Sequence, residues 1–73
     1  MKITQLITIV IPSYNEEKYI YNTLWKISRQ RFLGSLEVII ADGDSTDDTL
    51  KFIKKASEDF KNLQIELVEG GNT

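Results

Sequence analysis

Glu37-Val38-Ile39-Ile40-Ala41-Asp42-Gly43-Asp44-Ser45-Thr46-Asp47-Asp48-Thr49 changes character at a single position, Asp42. The apolar run Val38 to Ala41 reads as a strand buried on both faces, because a half-exposed strand would alternate with polar residues. Asp42-Gly43-Asp44 ends that run at once, and Ser45 with Asp48 three residues later forms a candidate capping box for a helix beginning near Thr46. In an open parallel sheet, ligands settle just outside the carboxyl ends of the strands. The acidic turn is therefore where binding or chemistry is expected.

Upstream, Leu6 to Ile11 is a β-branched run closed by Pro12, which cannot donate to a ladder and so marks the strand's end. Ser13-Tyr14-Asn15 follows as a short loop. Asn15 is a good N-cap, and Glu16 and Glu17 place negative charge where a helix dipole favours it, so a helix is expected from there to about Arg31. Its apolar stripe is Ile20, Leu24 and Ile27, widened by Tyr21 and Trp25. Phe32-Leu33-Gly34-Ser35 is a connection turning at Gly34, and the strand that follows spans Leu36 to Ala41.

Downstream, Leu50, Ile53, Ala56 or Ser57, and Phe60 keep helical spacing, while Lys51, Lys54, Lys55, Glu58 and Asp59 fill the wet side. This second helix fades by Asn62. Leu63 to Val68 alternates Ile65 and Leu67 with Gln64 and Glu66, as a half-exposed strand near a sheet edge does. Gly70 to Thr73 reads as a turn.

The fold class is thus α/β, a β-α-β-α-β unit with a parallel sheet in the order 3-2-1 and both helices on one face. That arrangement leaves strand one apolar on an uncovered face and open along one edge. Residues 1–73 are accordingly expected to be a partial domain, the first part of something larger. In isolation they are expected to self-associate through the open edge or to fold only in part.

Composition excludes several classes. The formal net charge of −2, from 9 basic and 11 acidic residues without long like-charge blocks, gives no electrostatic footprint for nucleic acid. With no Cys and no His, disulfides, thiolate chemistry and imidazole ligands or bases are absent from these residues. No apolar run approaches the about 20 residues of a membrane helix, and Met1-Lys2 has no signal-peptide core behind it.

The acidic turn and the Ser13 to Glu17 loop end adjacent strands, so their carboxylates and amides converge at one sheet edge. Taken singly, Asn15, Glu16, Ser45, Asp47 and Asp48 are explained as helix caps and dipole partners, and on the residues alone that reading leads. Asp42 and Asp44 precede the helix at the mouth of the strand, and for Asp42 a functional role is the better reading. A calcium EF-hand loop fails, since the positions that need Gly and Glu hold Asp47 and Ile53. The D-x-D-x-T from Asp42 to Thr46 resembles the first motif of haloacid-dehalogenase-type phosphohydrolases. That would make Asp42 a nucleophile and Asp44 an acid/base, but it leaves Pro12 to Glu17 unexplained, and that family carries the motif on its first strand.

Both turns together carry a fuller resemblance. T-I-V-I-P-S-Y-N-E-E at Thr8 to Glu17, followed by E-V-I-I-A-D-G-D-S-T-D-D-T at Glu37 to Thr49, closely resembles the opening of family 2 glycosyltransferases, which typically read VIIPxYNE and then EIIVVDDGSTDGT or ADGGSTDGT. The resemblance covers nearly the whole chain. It implies the Rossmann-like first half of a GT-A fold that binds a nucleotide sugar, with Pro12, Ser13, Tyr14, Asn15 and Glu16 against the nucleoside. An Asp of the second motif would accept a hydrogen bond from the base, usually uracil, as an ionised carboxylate can. This chain has Asp42-Gly43 where the common form has two Asp residues, so Asp42 or Asp44 must serve, with Gly43 between them; Asp48 replaces a usual Gly.

By the same resemblance, the transferase uses a UDP-linked donor, an acceptor that the motifs leave open and a divalent cation, Mg or Mn. The cation's D-x-D ligands and the catalytic base lie later than Thr73, so no catalytic or metal-binding residue is assigned here and the segment alone is expected to be inactive. The protein is expected to be cytoplasmic, with the full-length form open to membrane association, since such enzymes sometimes carry an anchor later in the chain. A small non-catalytic nucleotide-binding module is the alternative outside enzymes.

Overall fold

The computed structural model of the chain describes residues 6–30 and 35–70. Three strands and two helices alternate as β1 (Leu6–Ser13), α1 (Ile20–Ser28), β2 (Ser35–Asp42), α2 (Thr49–Asp59) and β3 (Gln64–Val68). All pairings are parallel and β2 lies in the centre, so the expected β-α-β-α-β sheet is the one formed. The expected turn at Gly34 and the chain beyond Gly70 lie outside the described residues.

Register decides which side chains meet. Ile9 lies opposite Val38 and Ile11 opposite Ile40, while Val38 and Ile40 face Ile65 and Leu67 on the other side. These residues form the floor of the core. Ile20 and Leu24 of α1 and Ile53 and Ala56 of α2 close it from above, with Leu36 and Leu63 at its rim. Both helices therefore occupy the same face. At their outer junction Tyr21 and Phe60 rings lie 5.1 Å apart, and Asn62 Nδ2 donates to the Ser28 carbonyl at 2.9 Å, giving a partner to an orphan carbonyl at the end of α1.

Several boundaries differ from the sequence expectation, each for a local reason. β1 continues through Pro12 to Ser13, because only β2 pairs with β1 among the described residues and proline is tolerated on an edge strand. α1 begins at Ile20, a turn later than Asn15 would give; the Glu16 carbonyl first accepts from both Tyr19 N and Ile20 N. It also ends at Ser28, before Arg31. α2 begins at Thr49 instead of near Thr46, for a reason that lies in the site. Trp25 is not part of the apolar stripe: it is 42% exposed, with the Arg29 guanidinium 5.2 Å from its ring centroid.

The second face of the sheet is bare among the described residues. Leu6, Thr8, Val10 and Pro12 of β1 point there, with Glu37, Ile39 and Ala41 of β2 and Gln64, Glu66 and Val68 of β3. Ile39 is consequently only half-buried, whereas its neighbours Val38 and Ile40 are fully enclosed. The expectation of a β2 buried on both faces is met on the helix side alone.

Candidate functional site

At the carboxyl edge the β1–β2 ladder runs one step past the strands, with Gly43 N donating to the Ser13 carbonyl at 2.9 Å. Directly inside it lies Asp42, 1% exposed. Ser13 Oγ and Ser45 Oγ both donate to its Oδ1, at 2.7 and 2.6 Å, and Ser45 N donates to Oδ2 at 2.8 Å. Burial pushes the Asp42 carboxyl up, but the hydrogen bonds from Ser45, Ser13 and the Asp44 backbone outweigh it and hold the group below the ordinary aspartate range. Asp42 is thus an ionised acceptor that fastens both turns to the ends of their strands.

Above it, the turns cap one another. Three consecutive amides of the first turn find acceptors in the second: Asn15 N donates to Ser45 Oγ (2.9 Å), Glu16 N to Thr49 Oγ1 (2.8 Å) and Glu17 N to Asp47 Oδ2 (3.4 Å). The return set is equally complete. Thr46 N and Asp47 N donate to Asn15 Oδ1 at 2.8 and 3.3 Å, and Asp48 N donates to Glu17 Oε1 at 2.9 Å. Asp47 Oδ1 meanwhile accepts from Thr49 N at 2.9 Å and from the Thr49 hydroxyl.

This clasp corrects the capping assignments. Asn15 caps no residue of α1; its side chain serves the other turn, and its backbone is left-handed, φ 49°. The Ser45–Asp48 capping box does not form, because Ser45 is held by Asp42 and Asn15, and α2 cannot start until Asp47 has turned the chain onto Thr49. Glu17, Asp47 and Thr49 were not singled out as site residues by the sequence. Thr49, buried completely, carries the clearest missed signal: a hydroxyl at the first position of α2, where an apolar residue would pack as well.

What remains open at the mouth is narrow in kind. Tyr14 is 58% exposed, and Asp44 is exposed on a left-handed backbone, φ 61°, a conformation Asn and Asp tolerate better than most residues. Gly70, beyond the end of β3, comes to the same place: a Cβ on it would lie 4.0 Å from Asp44 Oδ1, and its φ of 68° favours glycine. Beside the first turn, Glu16 lines a cavity of about 170 Å³ with Ile11, Pro12, Tyr19, Ile20 and Thr23. All eight residues expected to bind nucleotide, Pro12 to Glu16 and Asp42 to Asp44, lie in or next to this arrangement.

These residues do not fit a divalent cation. The Asp42 carboxylate already receives hydroxyls and amides of the chain itself, and no three acidic side chains converge among the described residues. The same enclosure disfavours Asp42 as a phosphohydrolase nucleophile, which needs an open oxygen. None of the described helices is long and apolar enough to cross a membrane.

Two hydrogen-bonded carboxylates, buried Asp42 and partly exposed Asp47, predict an acid limit. Asp47, like Asp42, is pushed up by desolvation but pulled below the ordinary range by its hydrogen bonds, chiefly from Thr49. A depressed folded-state pKa contributes stability above the unfolded value of about 3.9, and that contribution is lost as pH falls through the folded value. Melting temperature should therefore be flat from about pH 7 to 5 and fall below about pH 4, and Asp42→Asn should make that acid fall shallower.

Comparison with known proteins places the chain. The model of the family described as glycosyl transferase family 2 matches residues 8–72. A dolichyl N-acetyl-α-D-glucosaminyl phosphate 3-β-D-2,3-diacetamido-2,3-dideoxy-β-D-glucuronosyltransferase of Methanococcus voltae is 42% identical over 62 residues, 81% of this chain and 19% of that protein. A poly(ribitol-phosphate) β-N-acetylglucosaminyltransferase of Staphylococcus aureus is 36% identical over 67 residues, 88% of this chain and 12% of that one. Among solved structures, a mannosyltransferase of Pyrobaculum calidifontis in complex with GDP-Man and Mn2+ superposes with a TM-score of 0.81 at 32% identity, over 92% of this chain and 20% of that chain. The chain thus spans about a fifth or less of each of these proteins, and over that span it has the Rossmann-like topology of the GT-A transferases. Since the family's match runs through both turns and the clasp that joins them, the chain belongs to glycosyltransferase family 2.

Proposed function

We propose that these residues form the nucleoside-binding part of a glycosyltransferase that moves a sugar from a nucleotide donor, UDP-linked, to an acceptor. One observation carries the reading: the amides of residues 15–17 and 46–48 already have protein acceptors, so neither turn offers the free backbone donors on which a phosphate would sit. The carboxylates of Glu16, Glu17, Asp44, Asp47 and Asp48 also repel a diphosphate. What the mouth offers instead suits an uncharged base and ribose. Tyr14 supplies an exposed aromatic face, and Asp44 supplies an acceptor for an imide N–H.

In this reading Pro12, Ser13, Tyr14, Asn15 and Glu16 line one side of the nucleoside and Gly43 and Asp44 the other, with Asp42 holding the two sides together from beneath. The donor's diphosphate, its Mg or Mn ion and the reacting carbon lie away from these turns. No step of the transfer is assigned to a residue described here, and displacement with inversion, deprotonation of the acceptor and any anchoring at a membrane belong to the rest of the enzyme.

Calorimetric titration of the protein expressed from its whole reading frame tests this. UDP is expected to bind, and Tyr14→Ala and Asp44→Ala should each weaken it by about tenfold, the worth of one stacking contact or one buried hydrogen bond. Binding of GDP in preference to UDP would reassign the base. Equal affinity for wild type and Asp44→Ala would remove Asp44 from the site.

A further inference from the structure

We infer that Thr49 and Glu17 are positioning residues of the donor site: neither touches the nucleoside, yet donor affinity depends on both because they hold the backbone of the opposite turn. This rests on the nucleotide-sugar reading above. The geometry is reciprocal. Thr49, at the start of α2, reaches back to the Glu16 amide, while Glu17, on the turn before α1, reaches forward to the Asp48 amide. Asp47 links the two, accepting from the Glu17 amide with one oxygen and from Thr49 with the other.

Of the residues that face the ligand, Asp44 is held through its backbone bond to Asp42, and Tyr14 makes no side-chain hydrogen bond among the described residues. Tyr14 sits next to left-handed Asn15, and Asp44 is itself left-handed, so both depend on strained backbone kept in place by neighbouring bonds. In Asn15 the strain is borne by its amide on Ser45 and its side chain on Thr46 and Asp47. Release of the Glu16 or Asp48 amide frees the flank of that arrangement. The turns then sample other conformations, and the nucleoside binds only the fraction that remains correctly shaped.

Acceptor chemistry makes the claim separable from packing. Thr49→Val keeps shape and burial but removes the oxygen that Glu16 N needs; Thr49→Ser keeps the oxygen and removes a methyl. Glu17→Ala removes the acceptor for Asp48 N on a half-exposed side chain, and Glu17→Gln keeps an amide oxygen there. For stability alone Thr49→Val is also the more harmful of the two, since it orphans the Glu16 amide and removes the hydroxyl that donates to Asp47, so the positioning role is separated by UDP affinity in variants that remain folded.

The test uses the protein expressed from its whole reading frame, at a temperature where each variant is fully folded by circular dichroism, with UDP as the probe. Thr49→Val and Glu17→Ala are each expected to weaken UDP about tenfold, with Thr49→Ser and Glu17→Gln within about twofold of wild type. Amide exchange of peptides spanning residues 14–18 and 45–49 should quicken in the two damaging variants, while peptides of β2 keep their protection. Unchanged UDP affinity in folded Thr49→Val and Glu17→Ala would overturn the positioning role and leave the binding reading standing. If wild type binds neither UDP nor GDP, the binding reading falls and the positioning role falls with it.

Discussion

Asp42→Ala is expected to lower the unfolding free energy by about 3 kcal/mol, the largest loss from any single side-chain truncation at the carboxyl edge of the sheet. The side chain is enclosed and accepts from two hydroxyls and an amide. Hydrogen bonds to a charged acceptor contribute about 1.5 to 3 kcal/mol each, and a buried donor left without a partner costs about 1 to 3 kcal/mol. Ser13 and Ser45 hydroxyls can rotate to other partners, which is why the expected loss is nearer one full bond and one orphaned amide than the sum of all three. A domain of ordinary stability holds only about 5 to 15 kcal/mol in all. Urea titration checks the value, and a loss under about 1 kcal/mol would mean that solvent already reaches Asp42 and shares its bonds.

The same substitution separates two roles that the sequence merges. Asp42 has the look of a ligand-binding carboxylate because it stands at the mouth of a strand, but the ladder places it on the helix face with Ser13 as its cross-strand partner. Asp44, two residues on, stands on the exposed side. Asp42→Ala should therefore act on donor binding through the shape of both turns, so that Asn15 and Asp44 are disturbed together, whereas Asp44→Ala should change donor affinity and leave the unfolding free energy within about 1 kcal/mol of wild type.

Strand and helix order was legible because each apolar run has a period of its own, and the turns announce themselves by Pro12, Gly43 and the acidic residues. The partnership between the turns was not. Asn15 and Ser45 are 30 residues apart in sequence, and each is explained locally as a cap, so local rules give an answer that is chemically sufficient and structurally wrong. Each turn carries polar side chains that can accept from backbone amides, and this supply is the sequence feature that accompanies a mutual clasp. Only the register of β1 on β2, with Ser13 opposite Asp42, brings the two sets within reach of each other. Trp25 failed for a simpler cause: it lies at the margin of the stripe, where an Arg29 guanidinium on its outer side competes with the core for the ring.

Residues 1–73 taken alone are expected to self-associate. On the bare face Leu6 is 62% exposed, Val10 61% and Val68 45%, around half-buried Ile39 and Ala41. Polar groups interrupt the surface only where Thr8 Oγ1 donates to Glu37 Oε1 at 3.1 Å and at Gln64 and Glu66. Burial of an aliphatic side chain of this size contributes about 1.5 to 3 kcal/mol. The outer edge of β1 adds a row of backbone groups, unpaired among the described residues, with β-branched side chains along it. Edge and face therefore favour the same partner, a second copy laid against β1. Sedimentation should show average mass rising over about a hundredfold range of concentration, with a melting temperature that rises in step. Leu6→Lys with Val10→Lys should return the chain to a monomer, since charge on an edge strand opposes pairing and both residues lie on the open face. A wild-type chain that stays monomeric at every concentration and melts in one sharp transition would show that two helices on one face suffice to hold the sheet.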